Sequence, residues 1–181
     1  MSAFKTIVAD PPWKFGDKLP GPKRGAESHY DVMSNADICN FELPPLADDC
    51  RLFLWRVSSM QQEALDVMSA WGFTLKTELV WCKRTKNDKR WFGMGRTLRA
   101  EHETCLIGVR GKPEVLNRST RSILDGAFDA KVPGGKHSAK PEEFFDLVEG
   151  LSPGPYVELF ARRQRPGWVC LGNELPGGGN A

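Results

Sequence analysis

The 181-residue chain has no apolar stretch approaching the length of a membrane span and no secretory leader at its N-terminus, which argues against a membrane or exported protein. It also has no Cys-x-x-Cys pair, no His-Glu-x-x-His and no carboxylate-rich calcium loop, and its three histidines are scattered. Neither zinc nor calcium is therefore expected. The five cysteines (Cys39, Cys50, Cys82, Cys105, Cys170) are odd in number, widely spaced and mostly set in apolar runs. They read as reduced core residues, which points to the cytoplasm. A Gly-x-Gly-x-x-Gly fingerprint is missing as well, because Gly93-Met94-Gly95 lacks the third glycine and a preceding strand, making an ordinary dinucleotide site a poor fit. Excess charge is small, at +2, and a composition 40% hydrophobic and 27% charged is that of one soluble globular domain covering 1–181.

What the chain does have is Asp10-Pro11-Pro12-Trp13, directly after the apolar run Phe4, Thr6, Ile7, Val8, Ala9. Paired prolines stop the strand, fix φ and leave carbonyls without a neighbouring donor of their own. Asp10 adds a charged acceptor and Trp13 a stacking face, a set suited to holding a flat, amine-bearing ring. Pro-Pro pairs at strand ends also occur for structural reasons alone. A chance occurrence of all four residues in a chain of this length is on the order of one in a few thousand.

Short apolar runs alternate with helical patterns, which predicts an α/β domain. Strands are expected at Lys5–Ala9, Arg51–Val57, Glu78–Cys82, Glu103–Val109, Tyr156–Phe160 and Trp168–Leu171, most of them continuously apolar as in a mainly parallel sheet with helices on both faces. A helix is predicted over Met60–Trp71, with Ser59 and Gln62 as a capping box, an apolar stripe of Met60, Ala64, Leu65, Met68 and Trp71, and Gly72 as its stop. A second runs from Pro141, at the first helical position, to about Glu149, with Phe144, Phe145 and Val148 inward and Gly150 ending it. A shorter helix begins at Ser34, where Asp37 completes a capping pattern.

Three basic, glycine-containing stretches remain, near 14–30, 84–100 and 117–136. Loops this long are uncommon in compact domains unless functional or disordered. From Lys83 to Arg99 seven bases face one acid, Asp88, which favours contact with a polyanion, although a solvated charged loop reads the same way. Trp91 and Phe92 lie among Lys89, Arg90, Arg96 and Arg99, the interleaving of rings and cations that exposed nucleotides need, at about 1–3 kcal/mol per stacked base. Tyr30 is placed to act opposite Trp13.

Asp10-Pro11-Pro12-Trp13 has companions in the C-terminal third: Lys140-Pro141, Glu158-Leu159-Phe160-Ala161-Arg162, then Trp168 followed by Leu171-Gly172-Asn173-Glu174. In that order these resemble the adenine-N6 methyltransferase family that includes the catalytic subunits of the eukaryotic messenger-RNA methyltransferase and bacterial and phage relatives. Tyr30 to Met33, Leu52 to Trp55, Val80 to Lys83 and Glu103 to Val109 also fall where that family has similar segments, so the resemblance covers nearly the whole chain. It implies a Rossmann-like fold that uses S-adenosyl-L-methionine, with the permuted order in which the catalytic tetrapeptide precedes the cofactor segment.

The chemistry follows from adenine itself. Its exocyclic amine is a weak nucleophile because the lone pair is delocalised, and acceptors for both amine hydrogens turn that pair out of plane. The candidates are the Asp10 carboxylate and the Pro11 carbonyl, with Pro12 fixing the turn and Trp13 and Tyr30 packing on the ring. For the cofactor, the resemblance implies Lys140 at the methionine carboxylate, Glu158, Phe160, Arg162, Asn173 and Glu174 around the ribose and amino-acid portion, and Asp10 near the methionine amine. Glu103 and Trp81 match family positions near the target nucleoside, although Trp81 reads equally as core.

Two departures stand out. The eukaryotic members carry an Asp-Ile stretch upstream of the first strand, whereas here only three residues precede Phe4; and Gln164-Arg165 and Glu174 replace their His-Asn and Gln. The expected activity is adenine-N6 methylation of nucleic acid, DNA rather than RNA given the short chain without appended RNA-binding domains. Alternatives are the same chemistry on RNA and a catalytically silent nucleic-acid-binding scaffold, which typically loses the acid or tryptophan present here. Methylation of a protein glutamine usually has Asn first and Tyr last in this motif. No membrane partner is expected, and the chain is a monomer or homodimer.

Overall fold

A computed structural model of the chain describes residues 3–14, 32–85, 87–93, 95, 97–127, 140–172 and 175. Of the expected site residues, Tyr30, Arg96, Asn173 and Glu174 lie outside these, as do most of the 14–30 stretch and residues 128–136. The described elements are β1 (Phe4–Ala9), α1 (Asn35–Cys39), β2 (Leu46–Arg56), α2 (Gln61–Ala70), β3 (Thr74–Arg84), β4 (His102–Arg110), β5 (Ile123–Ala127), α3 (Glu142–Leu151), β6 (Tyr156–Leu159) and β7 (Trp168–Leu171).

They form an α/β fold on one seven-stranded sheet in the order β5-β3-β4-β2-β1-β6-β7. Four of the six pairings are parallel, and only β4, between β2 and β3, runs against the rest. The expectation of a mainly parallel sheet holds, with one reversed strand. Side chains alternate across β1, so the sheet has two apolar faces. Ile7 and Ala9 join Leu52, Leu54, the α1 and α2 residues Ile38, Ala64, Val67 and Met68, and Trp71 at the C-cap of α2. On the other face Val8 joins Phe53, Trp55, Leu79, Trp81 and Cys105 beneath Phe144, Phe145 and Val148 of α3. Three of the five cysteines, Cys50, Cys105 and Cys170, are buried free thiols, and Cys39 and Cys82 are half-buried.

Several boundaries differ from expectation for physical reasons. β3 starts at Thr74, earlier than the apolar run, because β4 pairs with it from Thr74 to Cys82 while β5 covers only Val80–Arg84. Its first half is left half-covered and carries polar residues. β5 falls inside the 117–136 stretch read as irregular: five residues containing Asp125 and Gly126, its Ile123 exposed, formed only by pairing with β3. The capping box expected at Ser59 and Gln62 is not formed. Met60 is the N-cap of α2 without a side-chain bond, and Gln62 donates to Asp66 instead. Pro141 is the N-cap of α3 in an extended conformation rather than its first helical residue, and the helix passes through Gly150 to end at Leu151, with Ser152 as C-cap. At Ser34 both bonds of the capping box with Asp37 are present, and Gly72, at φ 78, follows α2 as its stop.

No helix among the described residues is long and apolar enough to cross a membrane. Among them, too, no three His, Cys, Asp or Glu side chains gather as metal ligands.

Candidate active site

Because six strands point one way, the C-terminal ends of β1, β2, β3, β6 and β7 open on one edge of the sheet, and the start of β4 opens there too. At β1 the chain order switches direction, with β2 on one side and β6 on the other. Such a switch point is where α/β folds form clefts. Asp10 is the first residue past β1, and Phe160 stands in the same place past β6.

Asp10 does not stand alone. The Lys140 ammonium donates to its Oδ2 at 2.7 Å, and Arg162 Nη2 lies 3.9 Å from the same oxygen. Lys140 also reaches Glu103 Oε2 at 3.1 Å, and Lys83 donates to the other oxygen of Glu103. One ionic chain thus joins β3, β4, β1, the approach to α3 and the segment after β6. Lys140 is buried, with its Nζ 5.0 Å above the Trp55 ring. Burial alone would lower its pKa, but the Asp10 and Glu103 carboxylates outweigh it and the pKa is raised. Burial would likewise raise Glu103, and Lys140 and Lys83 hold it below the ordinary carboxylate range. Each of the two shifts favours the charged form, so Lys140 and Glu103 hold one another ionised.

The tetrapeptide is built differently from the open cradle its sequence suggests. The Trp13 backbone N–H donates to the Pro11 carbonyl at 2.8 Å, a three-residue turn, and the Met33 N–H donates to the Pro12 carbonyl at 2.8 Å. Both proline carbonyls are already engaged, and each keeps only its second lone pair for another donor. Trp13 is 4% exposed, in the α1/α2 face of the core, and its indole N–H donates to the Trp55 carbonyl at 3.0 Å. It anchors the turn that holds Asp10 rather than presenting an open stacking face. Trp81, expected near the target nucleoside, is fully buried edge-on to Trp55 at 6.3 Å between centroids. Its core alternative is the one realised.

Beside Asp10, on β6, Glu158 has one carboxylate oxygen, Oε2, buried without a hydrogen-bond partner. Burial pushes its pKa up to about 7, against the pull of Arg165 and Arg163. Arg165 pairs with Glu142 and lies 3.4 Å over the Phe145 ring, yet its Nε and Nη2 are also buried without partners. Orphaned polar atoms of both kinds in one place are costly unless a ligand satisfies them. Phe160 carries a φ of 58, a left-handed conformation uncommon for such a residue, and packs on Phe41 at 4.8 Å. After β7, a Cβ on Gly172 would collide with the Ala161 carbonyl. Only glycine lets the two strand ends approach that closely.

The basic stretch near 84–100 is partly neutralised by acids. Arg84 forms two 2.6 Å bonds to Asp125, and Arg90 Nη1 lies 3.3 Å from Glu101. Lys89, Arg90 and Arg99 are exposed, Trp91 is half-buried, and Arg99 lies 5.1 Å over the Phe92 ring. Two site residues escaped the sequence reading. In the sequence Lys83 reads as loop charge and Arg165 as a departure from the family pattern. A lysine closing an apolar strand was the available signal for the first.

A sequence profile of the MT-A70 family matches residues 4–174. The chain belongs to the MT-A70 family. Among its relatives, the N(6)-adenosine-methyltransferase MT-A70-like protein of Drosophila melanogaster is 35% identical over 98% of this chain and 28% of its own length. The human N(6)-adenosine-methyltransferase catalytic subunit METTL3 is 33% identical over 98% of this chain and 29% of its own length. The chain thus spans under a third of these animal members of the MT-A70 family. The type II methyltransferase M.MunI of a Mycoplasma species is 28% identical over 96% of this chain and 78% of its own length.

Proposed function

We propose that this chain methylates the exocyclic N6 amine of adenine in nucleic acid, with DNA as the substrate and S-adenosyl-L-methionine as the methyl donor. The observation that carries the reading is Asp10 at the switch point, gripped by Lys140 and flanked by the unpartnered oxygen of Glu158. The names of the relatives, two of them adenosine methyltransferases, support the same chemistry. Among the relatives, the type II methyltransferase M.MunI matches over 78% of its length, against 28% for the Drosophila protein.

The residues fit the donor molecule. Lys140 suits its methionine carboxylate, and the orphaned Glu158 Oε2 suits the ribose hydroxyls, which are donors. Arg162 and the strand ends at Phe160 and Gly172 border the same place. When bound, S-adenosyl-L-methionine supplies an electrophilic sulfonium methyl. The chain's own work is on the amine: the Asp10 carboxylate accepts one amine hydrogen and the second lone pair of the Pro11 carbonyl accepts the other, so the nitrogen lone pair turns out of the ring plane. Positive charge that develops at nitrogen then meets fixed acceptors, an effect confined to the transition state. Lys89, Arg90, Trp91 and Arg99 face the phosphate backbone and bases.

The test is transfer of labelled methyl from S-adenosyl-L-methionine to duplex DNA, single-stranded DNA and RNA, comparing wild type with Asp10→Ala. Label is expected in DNA, and the variant is expected to lose about 10²–10³ in rate, as when an oxyanion-hole donor is removed. No incorporation into any of the three sinks the reading. Label surviving unchanged in Asp10→Ala sinks the mechanism, and label in RNA alone supports the RNA alternative.

A further inference from the structure

Two apolar side chains stand out in solvent at the edge where the strands open. Phe92 is 74% exposed and Leu98 is 81% exposed, the highest among the large apolar residues described. Backbone hydrogen bonds tie their segment to the sheet. The Trp91 N–H donates to the Lys83 carbonyl at 3.0 Å, and the Gly93 N–H donates to the Ala100 carbonyl at 3.0 Å. These bonds pin one arm to the end of β3 and the other to the approach to β4. A Cβ on Gly93 would strike the Ala100 carbonyl, and one on Gly95 the Leu98 carbonyl. Glycine at 93 and 95 permits these close backbone approaches.

The surroundings fit a polyanion that also offers flat apolar surfaces. Arg99 stacks over Phe92, and Lys89 and Arg90 are exposed beside it, Arg90 3.3 Å from Glu101. β4 and β2 lie between β3 and β1, so the loop emerges about three strand spacings, or about 14 Å, from Asp10. From Ala100 the chain reaches Glu103 in three residues, and Glu103 joins Asp10 through Lys140. Asp10 itself is recessed, its side chain 22% exposed. An adenine inside a duplex must leave the stack to reach it, which opens a gap between its neighbours.

We infer that Phe92 and Leu98 form an apolar wedge that enters duplex DNA beside the target adenine and holds open the step from which that base is extruded. Apolar side chains inserted between base steps unstack them and kink the duplex, and Phe92 and Leu98 are exposed apolar side chains set among exposed cations. The inference rests on the nucleic-acid reading above and narrows it to a duplex substrate.

Duplexes carrying 2-aminopurine at successive adenine positions report unstacking by a rise in fluorescence on binding, whether or not methyl transfer occurs. Wild type is expected to raise the fluorescence at one position. Phe92→Ala/Leu98→Ala is expected to abolish that rise and to cut methyl transfer to duplex DNA by about tenfold or more, as when a stacked aromatic is lost, with transfer to the single strand little changed. Phe92→Trp is expected to restore the duplex signal. Neither side chain contributes to the core, so the thermal unfolding of the variants should match wild type. No fluorescence rise with wild type overturns the wedge, as does an equal loss on duplex and single strand, which marks a stacking platform instead. A fluorescence rise without methyl transfer by wild type leaves the wedge standing and removes the enzymatic reading.

Discussion

Lys140→Met removes the centre of the ionic chain while keeping an unbranched apolar stem in place. In the wild type the ammonium is buried, 2.7 Å from Asp10 and 3.1 Å from Glu103. Taking one partner from a buried pair usually costs about 3–5 kcal/mol because a charge is left without compensation. Here the lower end applies, since Glu103 keeps Lys83 and Asp10 keeps Arg162 at 3.9 Å. A loss of about 3 kcal/mol corresponds to a fall in Tm of roughly 6–12 °C for a domain of this size. The pH dependence has a definite sign. The depressed pKa of Glu103 gives stability that is present above its ordinary 4.5 and lost as pH falls through the lowered value. The raised pKa of Lys140 gives stability that is complete below its ordinary 10.5 and lost as pH rises through the raised value. The variant's deficit should therefore be fullest between these limits and shrink on the acid side. Urea unfolding followed by tryptophan fluorescence at pH 7 and pH 4 measures both. A deficit under about 0.5 kcal/mol at pH 7, the scale of an ordinary surface change, refutes the reasoning, and so does an equal deficit at the two pH values.

Two further substitutions separate roles. Glu158 has its pKa pushed up to about 7, so the ligand-free fold loses stability as pH rises from 4.5 toward 7. A ligand that donates hydroxyls to the ionised carboxylate binds more tightly over the same window; calorimetric titration of S-adenosyl-L-methionine at pH 6 and pH 8 should show tighter binding at pH 8 for wild type and no such gain for Glu158→Gln. Affinity that is flat with pH in the wild type counts against the ribose role. Trp13→Phe removes the indole donor to the Trp55 carbonyl and should cost about 1–3 kcal/mol through an unsatisfied buried acceptor, read by thermal unfolding. Unchanged stability with a raised KM for DNA alone would return Trp13 to a stacking role.

Much of the site was legible because its signals are local. Asp10-Pro11-Pro12-Trp13 announces a strand stop and a carboxylate in four adjacent residues, and the Ser34–Asp37 capping box is complete within one helical turn. Continuous apolar runs located six of the seven strands, since burial on two faces leaves that mark on composition. The seventh, β5, left none: five residues including Asp and Gly become a strand only because β3 offers an open edge. Local cap signals also misled at Ser59, where Met60 takes the cap instead.

What the sequence determined alone is the kind of chemistry: a carboxylate and prolines at a strand end, a buried-strand sheet and a basic segment are all properties of neighbours in the chain. What only the tertiary structure decided is how those groups are spent. Lys140 meets Asp10 across 130 positions and Trp13 meets Trp55 across 42, and reversal of β4 brings Glu103 to the same edge as both. Charges and hydrogen bonds in a low-dielectric interior act over a few ångströms of space regardless of distance along the chain. The linear order therefore names the acid, and the folded sheet chooses its partners.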